Sequence, residues 1–281
     1  MKRNRWLLLG LIGAICLRAG AAAPAASAPP AATRPAAMVE DPTKPSASRS
    51  NAAGTISPGW MNRHNRLVAT AKAAADGTAP IDLYMLGDSI TDFWKSRFAA
   101  NWTSNLGGWK PGDYGISGDR TQNVLYRIEN GELDGVHPKV VVLMIGTNNL
   151  AFNATYGANS VDDTVKGIKA VIDAIQAKAP NAKVLLIAIM PRNDKGKTPT
   201  DIWDNICKAN EAIAKFADDK TVKFLNLNDK LADKDGKLLP GMMGSDNLHP
   251  AEKGYQVWAD AMRPILTDWL GEPAPAGGGG K

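Results

Sequence analysis

Four short, almost wholly apolar runs recur along the chain: "IDLYMLG" (81–87), "KVVVLMIG" (139–146), "KVLLIAI" (183–189) and "VKFLNL" (222–227). Runs this continuous suit parallel strands buried on both faces, since a strand with one wet face alternates apolar and polar positions. Between them lie longer stretches with helical spacing, clearest in Val161, Val165, Ile168, Val171, Ile172 and Ile175 and again in Tyr255, Trp258, Met262, Ile265 and Trp269. A weaker strand is expected around 113–118. Alternating strand and helix predicts an α/β protein, a three-layer α/β/α sandwich around a parallel sheet. With 44% hydrophobic and 22% charged residues in 281, the chain can build one sizeable core.

The two ends read differently. Lys2, Arg3 and Arg5 precede an apolar run, Trp6 to Leu17, that small residues follow, so 1–23 is expected to be a secretory signal. Cys16 lies inside it, but the bulky Ile15 disfavours a lipoprotein anchor. No later stretch has the apolar length of a membrane span. Residues 24–57, rich in Ala, Pro and Ser, read as a disordered linker, 58–271 as one domain, and 272–281 as a flexible tail. Beyond the signal only Cys207 remains, which leaves no partner for an intramolecular disulfide. Four basic and no acidic residues fall in 1–23, so the formal charge of +5 drops to +1 beyond them. That balance argues against nucleic acid as a partner.

In an open parallel sheet, functional groups gather beyond the carboxyl ends of the strands. Ser89 of "GDSIT" follows the first run, Gly118 the weak second strand, and Asn148 the third, so all three are expected at one edge. Ser89 or Thr91 could equally cap the helix that follows. "GDSIT" also lacks the second glycine of the Gly-x-Ser-x-Gly elbow, which argues against an α/β-hydrolase. A serine nucleophile needs a base, and the chain has three histidines. His137 precedes Pro138 at the start of the third run, at the opposite edge, and His64 lies in an amphipathic stretch leading into the first. His249 of "SDNLHPAEKGY" follows the last strand, and by elimination it is the candidate base. Asp246, three residues earlier, can fold back to the imidazole and fix its tautomer. The Asn148 amide and the unhindered backbone of Gly118 can donate hydrogen bonds to a tetrahedral oxyanion.

The blocks "GDSIT", "GISGDRTQNVLYRIENGELDGVHPKVVVLMIGTNN" and "DNLHP" resemble those of the GDSL/SGNH hydrolases. The long central block is especially similar to platelet-activating-factor acetylhydrolase catalytic subunits. The resemblance spans about 81–270 and is specific as a spaced set. It implies a flavodoxin-like fold with five central strands. It also implies Ser89 as nucleophile, the Ser89 N–H, Gly118 and Asn148 as oxyanion donors, His249 as base and Asp246 as its orienter. Asp113 in "GDYGISG" departs from the Asn that relatives often carry.

The expected reaction is ester hydrolysis through an acyl-serine, with no metal or organic cofactor required, and the resemblance implies a short acyl group, acetyl. An exported enzyme with a near-neutral domain is expected to act on acetylated carbohydrate. Two other readings stay open: a lipid esterase, lysophospholipase or thioesterase on the same machinery, and a carbohydrate-binding protein with a decayed site.

Overall fold

The computed structural model describes residues 39–50, 54–153, 155–194 and 199–275. The expected signal lies outside them. The elements run α1 (Pro58–Ala75), β1 (Leu83–Gly87), α2 (Ser89–Arg97), α3 (Ala99–Leu106), β2 (Pro111–Gly115), α4 (Thr121–Arg127), β3 (Val140–Met144), α5 (Thr147–Leu150), α6 (Val161–Lys178), β4 (Lys183–Ile187), α7 (Pro199–Ala214), β5 (Val222–Leu225) and α8 (Glu252–Leu270). The five strands pair in the order β2-β1-β3-β4-β5, and every pair is parallel. The edge strand expected at 113–118 lies slightly earlier, at 111–115, where Pro111 and Gly112 hid it from an apolarity count.

Side chains alternate between two cores because successive strand residues point to opposite faces. Tyr84, Leu86, Val141, Leu143, Val184 and Leu186 face one layer, where α1, α4, α6 and α7 contribute Leu67, Val124, Ile172 and Ile206. Leu83, Met85, Val140, Val142, Leu185 and Ile187 face the other, filled by Ile90 and Trp94 of α2, Trp102 of α3, and Tyr255, Trp258 and Met262 of α8. The helical spacing at 161–175 and 255–269 marks these inward faces. Ser160 caps α6 by accepting from Asp163 N–H at 3.1 Å, and Asp162 and Asp163 favour the positive end of its dipole.

The expected disordered linker is corrected in its second half. Residues 39–50 dock on α4: Ser46 N–H donates to Gln122 O at 3.0 Å, and Asn123 Nδ2 returns a bond to Ser46 O at 2.8 Å. Asn159 Nδ2 donates to Glu40 O at 3.0 Å, and Tyr156 OH to Arg49 O at 2.7 Å. Composition hid this segment because backbone hydrogen bonds hold much of it and its buried apolar side chains, Pro42 and Ala47, are small. The tail is docked through residue 275 as well: Trp109 Nε1 donates to Gly271 O at 2.8 Å and Ala274 N–H to Gly108 O at 3.2 Å.

The register aligns the strand ends that matter. Gly87 of β1 stands opposite Gly115 of β2 and Met144 of β3. The loops after these neighbouring strands therefore emerge side by side.

Candidate active site

Ser89 opens α2 one residue after the sheet ends. Its neighbour Asp88 is the helix cap, its Oδ1 accepting from Ile90 N–H at 2.9 Å. The capping role open to Ser89 from the sequence thus falls to Asp88, and the serine hydroxyl is left for other work. The turn demands glycine at 87, where a Cβ would collide with Met144 O and Thr91 Oγ1. Burial pushes the Asp88 carboxyl up to about 7, against the pull of Ile90 N–H, Arg192 and Arg127.

Ser89 Oγ lies 2.8 Å from His249 Nε2, and His249 Nδ1 lies 2.7 Å from Asp246 Oδ2. Asp246 Oδ1 also accepts the backbone N–H groups of Leu248 and His249, at 3.1 and 3.0 Å. Partial burial works to raise the Asp246 carboxyl, but the bonds from the His249 ring and from these N–H groups hold it down to about 2. The His249 loop is pinned on both sides. Gly244 N–H donates to His249 O at 2.8 Å, and Tyr255 of α8 donates to Ile90 O of α2 at 2.8 Å. Phe93 lies against the His249 ring, with centroids 4.5 Å apart.

Gly118 and Asn148 arrive from the other two strands. Gly118 is exposed, with φ +85° and open space where a side chain would stand, a conformation that favours glycine. Asn148 Nδ2 donates to Asp119 O at 2.9 Å, joining the β3 loop to the β2 loop one residue after Gly118. Beside it, the buried Asn149 accepts from Thr121 N–H at 3.0 Å and donates to Asn159 Oδ1 at 3.0 Å. All five residues singled out from the sequence therefore meet at one edge of the sheet. His137 is exposed at the opposite end of β3.

The sequence reading missed what lies beneath this loop. Asp119, fully buried, accepts from Trp60 Nε1 at 2.6 Å and stands 3.0 Å from Arg127 Nε. Arg127 also donates to Glu132 Oε2 at 3.2 Å, Tyr114 O at 3.0 Å and Gly87 O at 3.2 Å. Glu132 in turn meets His64 Nδ1 at 2.7 Å. One guanidinium thus holds the ends of β1 and β2 and the Gly118–Asp119 loop together. Burial pushes Asp119 upward, and Arg127 and the Trp60 N–H pull it back. A signal was present: Arg127 shares its helix face with Val124, which is in the core.

Asp113 accepts from Gly115 N–H at 3.0 Å and from Arg63 Nη2 at 3.1 Å. Among the described residues no group of three or more His, Cys, Asp or Glu side chains is placed to hold a metal ion. A cavity of about 540 Å³ lies away from the triad, between α7 and β5, beside Trp203, Cys207 and Phe224.

A five-stranded parallel sheet with this constellation beyond its carboxyl edge is the framework of an ester hydrolase. Residues 85–257 match the GDSL-like lipase/acylhydrolase family, and the chain belongs to it. It is 29% identical over 226 residues to the platelet-activating factor acetylhydrolase IB subunit alpha1 of Bos taurus, covering 78% of this chain and 87% of that protein. Solved structures share the fold. A GDSL-like lipase from Bacteroides thetaiotaomicron superposes with a TM-score of 0.56 at 20% identity, covering 72% of this chain and 98% of that one. An acetyl xylan esterase superposes at 0.51 with 23% identity, covering 66% and 100%.

Proposed function

We propose that the protein is an exported serine esterase that removes acetyl groups from carbohydrate. The observation that carries this reading is the continuous chain from Ser89 Oγ through His249 to Asp246, at 2.8 and 2.7 Å. In the first half-reaction His249 Nε2 takes the Ser89 proton while Oγ bonds to the acyl carbon. The carbonyl oxygen becomes an oxyanion, which Ser89 N–H, Gly118 N–H and the Asn148 amide stabilise. The bond to the alcohol then breaks, and His249 returns the proton to the leaving oxygen. In the second half, water gives a proton to His249 and attacks the acyl-serine, and Ser89 recovers its proton as the acid departs. Asp246 remains ionised throughout and supports the imidazolium.

Support for a short acyl group comes from the acetylhydrolase name of the curated relatives. Support for carbohydrate comes from the acetyl xylan esterase that shares the fold, and support for export from the basic-then-apolar pattern of 1–23. The acetylhydrolase relatives also favour a lipid-esterase reading. Rates on p-nitrophenyl esters of increasing chain length, together with acetate release from acetylated xylan, separate the two. Acetate release with a preference for C2 is expected. A preference for long chains without acetate release would replace carbohydrate by lipid.

A further inference from the structure

Beyond the carboxyl end of β2, lined by Ile116 and Ser117 but by none of Ser89, Asp246 and His249, lies a cleft of about 410 Å³, within the range of small-ligand sites at about 300–1,000 Å³. Two of its lining residues connect it to the chemistry. Asp92 sits one turn after Ser89 on α2, and Ser117 directly precedes Gly118. Opposite them stand Ser48, Ser57, Arg63 and Arg66. These four lie on α1 and on the docked segment before it, ahead of the family-matched span 85–257.

The lining chemistry selects an occupant. Serine hydroxyls, guanidinium N–H groups and a carboxylate dominate the surface, which offers donors and acceptors together. An alkyl chain placed here would strip water from these groups without replacing its hydrogen bonds, an unfavourable exchange. Arg63 is held rigidly, donating to Asp92 Oδ1 at 3.2 Å, Asp113 Oδ2 at 3.1 Å and Gly115 O at 3.3 Å. Its charge is thereby met by two carboxylates, which disfavours an anion as its ligand. Arg66, exposed at the rim, is the donor that can reach a bound group without losing a structural role.

We propose that this cleft is the subsite for the leaving alcohol, and that it takes a neutral polyhydroxylated ring, a sugar next to the acetylated position. Asp92 accepts from sugar hydroxyls, Ser117 exchanges bonds with them, and Arg66 donates to them. The proposal rests on the carbohydrate reading above and adds the residues that would enforce it.

The test compares wild type, Arg66→Ala and Arg66→Lys on acetylated xylo-oligosaccharide and on p-nitrophenyl acetate, whose leaving group has no sugar. The ratio of kcat/KM on the oligosaccharide to that on p-nitrophenyl acetate should fall at least about fivefold in Arg66→Ala, through KM, and recover in part in Arg66→Lys. Deacetylated xylo-oligosaccharide should inhibit p-nitrophenyl acetate hydrolysis competitively, with a Ki raised by a similar factor in Arg66→Ala. An unchanged ratio and Ki, with the oligosaccharide still cleaved, overturn the subsite and leave the carbohydrate reading standing. Failure of the wild type to cleave any acetylated sugar, with p-nitrophenyl acetate still turned over, overturns both. Competitive inhibition by inorganic phosphate but not by the oligosaccharide would make the cleft an anion site and overturn the proposal.

Discussion

Asn148 Nδ2 donates to the backbone carbonyl of Asp119 at 2.9 Å. The amide carries two hydrogens, so this bond fixes its plane with one and leaves the other for a substrate oxygen. Asn148→Ala should therefore lower kcat on the order of 10²-fold or more with a smaller effect on KM, because the donor meets charge that is present mainly in the transition state. Steady-state kinetics on p-nitrophenyl acetate decide this. A pure KM effect would reassign Asn148 to ground-state binding.

The three histidines should separate cleanly. His249→Ala should abolish turnover, while His137→Ala, at an exposed position at the far end of β3, should leave it near wild type. Asp246→Asn should retain more activity than His249→Ala, since it spoils orientation and charge support without deleting the base. His64→Ala should reveal itself first as lost stability, because it removes one of the two side-chain partners of the buried Glu132 and leaves Arg127 as the other. Kinetics paired with thermal unfolding distinguish these outcomes. Equal damage from His137→Ala in a folded protein would contradict the placement of the site.

Arg127→Met should destabilise the fold by about 3–5 kcal/mol, the scale for breaking a buried ion pair from one side. The change strands Asp119 and Glu132 without their shared cation and removes one hydrogen bond from each of the carbonyls of Gly87 and Tyr114. Urea unfolding measures it. A loss below about 1 kcal/mol would mean that the cluster is not what holds the Gly118–Asp119 loop to the sheet.

Asp88 gives a pH signature. Burial raises its carboxyl from 3.8 to about 7. Below pH 3.8 both folded and unfolded chains hold this proton. From there to about 7 only the folded state does, so its contribution to stability falls as pH rises and levels off above that. Asp88→Asn keeps an oxygen for the helix cap and removes the titration. The difference in Tm, variant minus wild type, should therefore be larger at pH 8 than at pH 5. A difference independent of pH would show that Asp88 ionises in the fold at no cost.

How far the fold could be read in advance follows from what each element is made of. β1, β3 and β4 announce themselves because both faces are buried, as Val140 to Met144 show. β2 carries Pro111, Gly112 and Asp113 at the sheet's edge and was visible only weakly. The Ser89–His249 pairing was legible because the chain has only three histidines, and of these His249 alone follows a strand at the edge where Ser89 stands. Residues 39–50 were not, since much of their hold on Gln122, Asn123 and Asn159 runs through backbone groups that every residue possesses. The cluster of Asp119, Arg127, Glu132 and His64 escaped for a related reason. Charged side chains normally signal a wet surface, and their burial depends on partners up to 68 positions apart in the chain.

The central claim is that Ser89 carries the acyl group. Treatment with a fluorophosphonate, followed by peptide mapping by mass spectrometry, tests it on the wild-type protein and on Ser89→Ala. A single adduct on Ser89, absent from a folded and inactive Ser89→Ala, is the predicted result. An adduct on another residue, or undiminished turnover in Ser89→Ala, would contradict it.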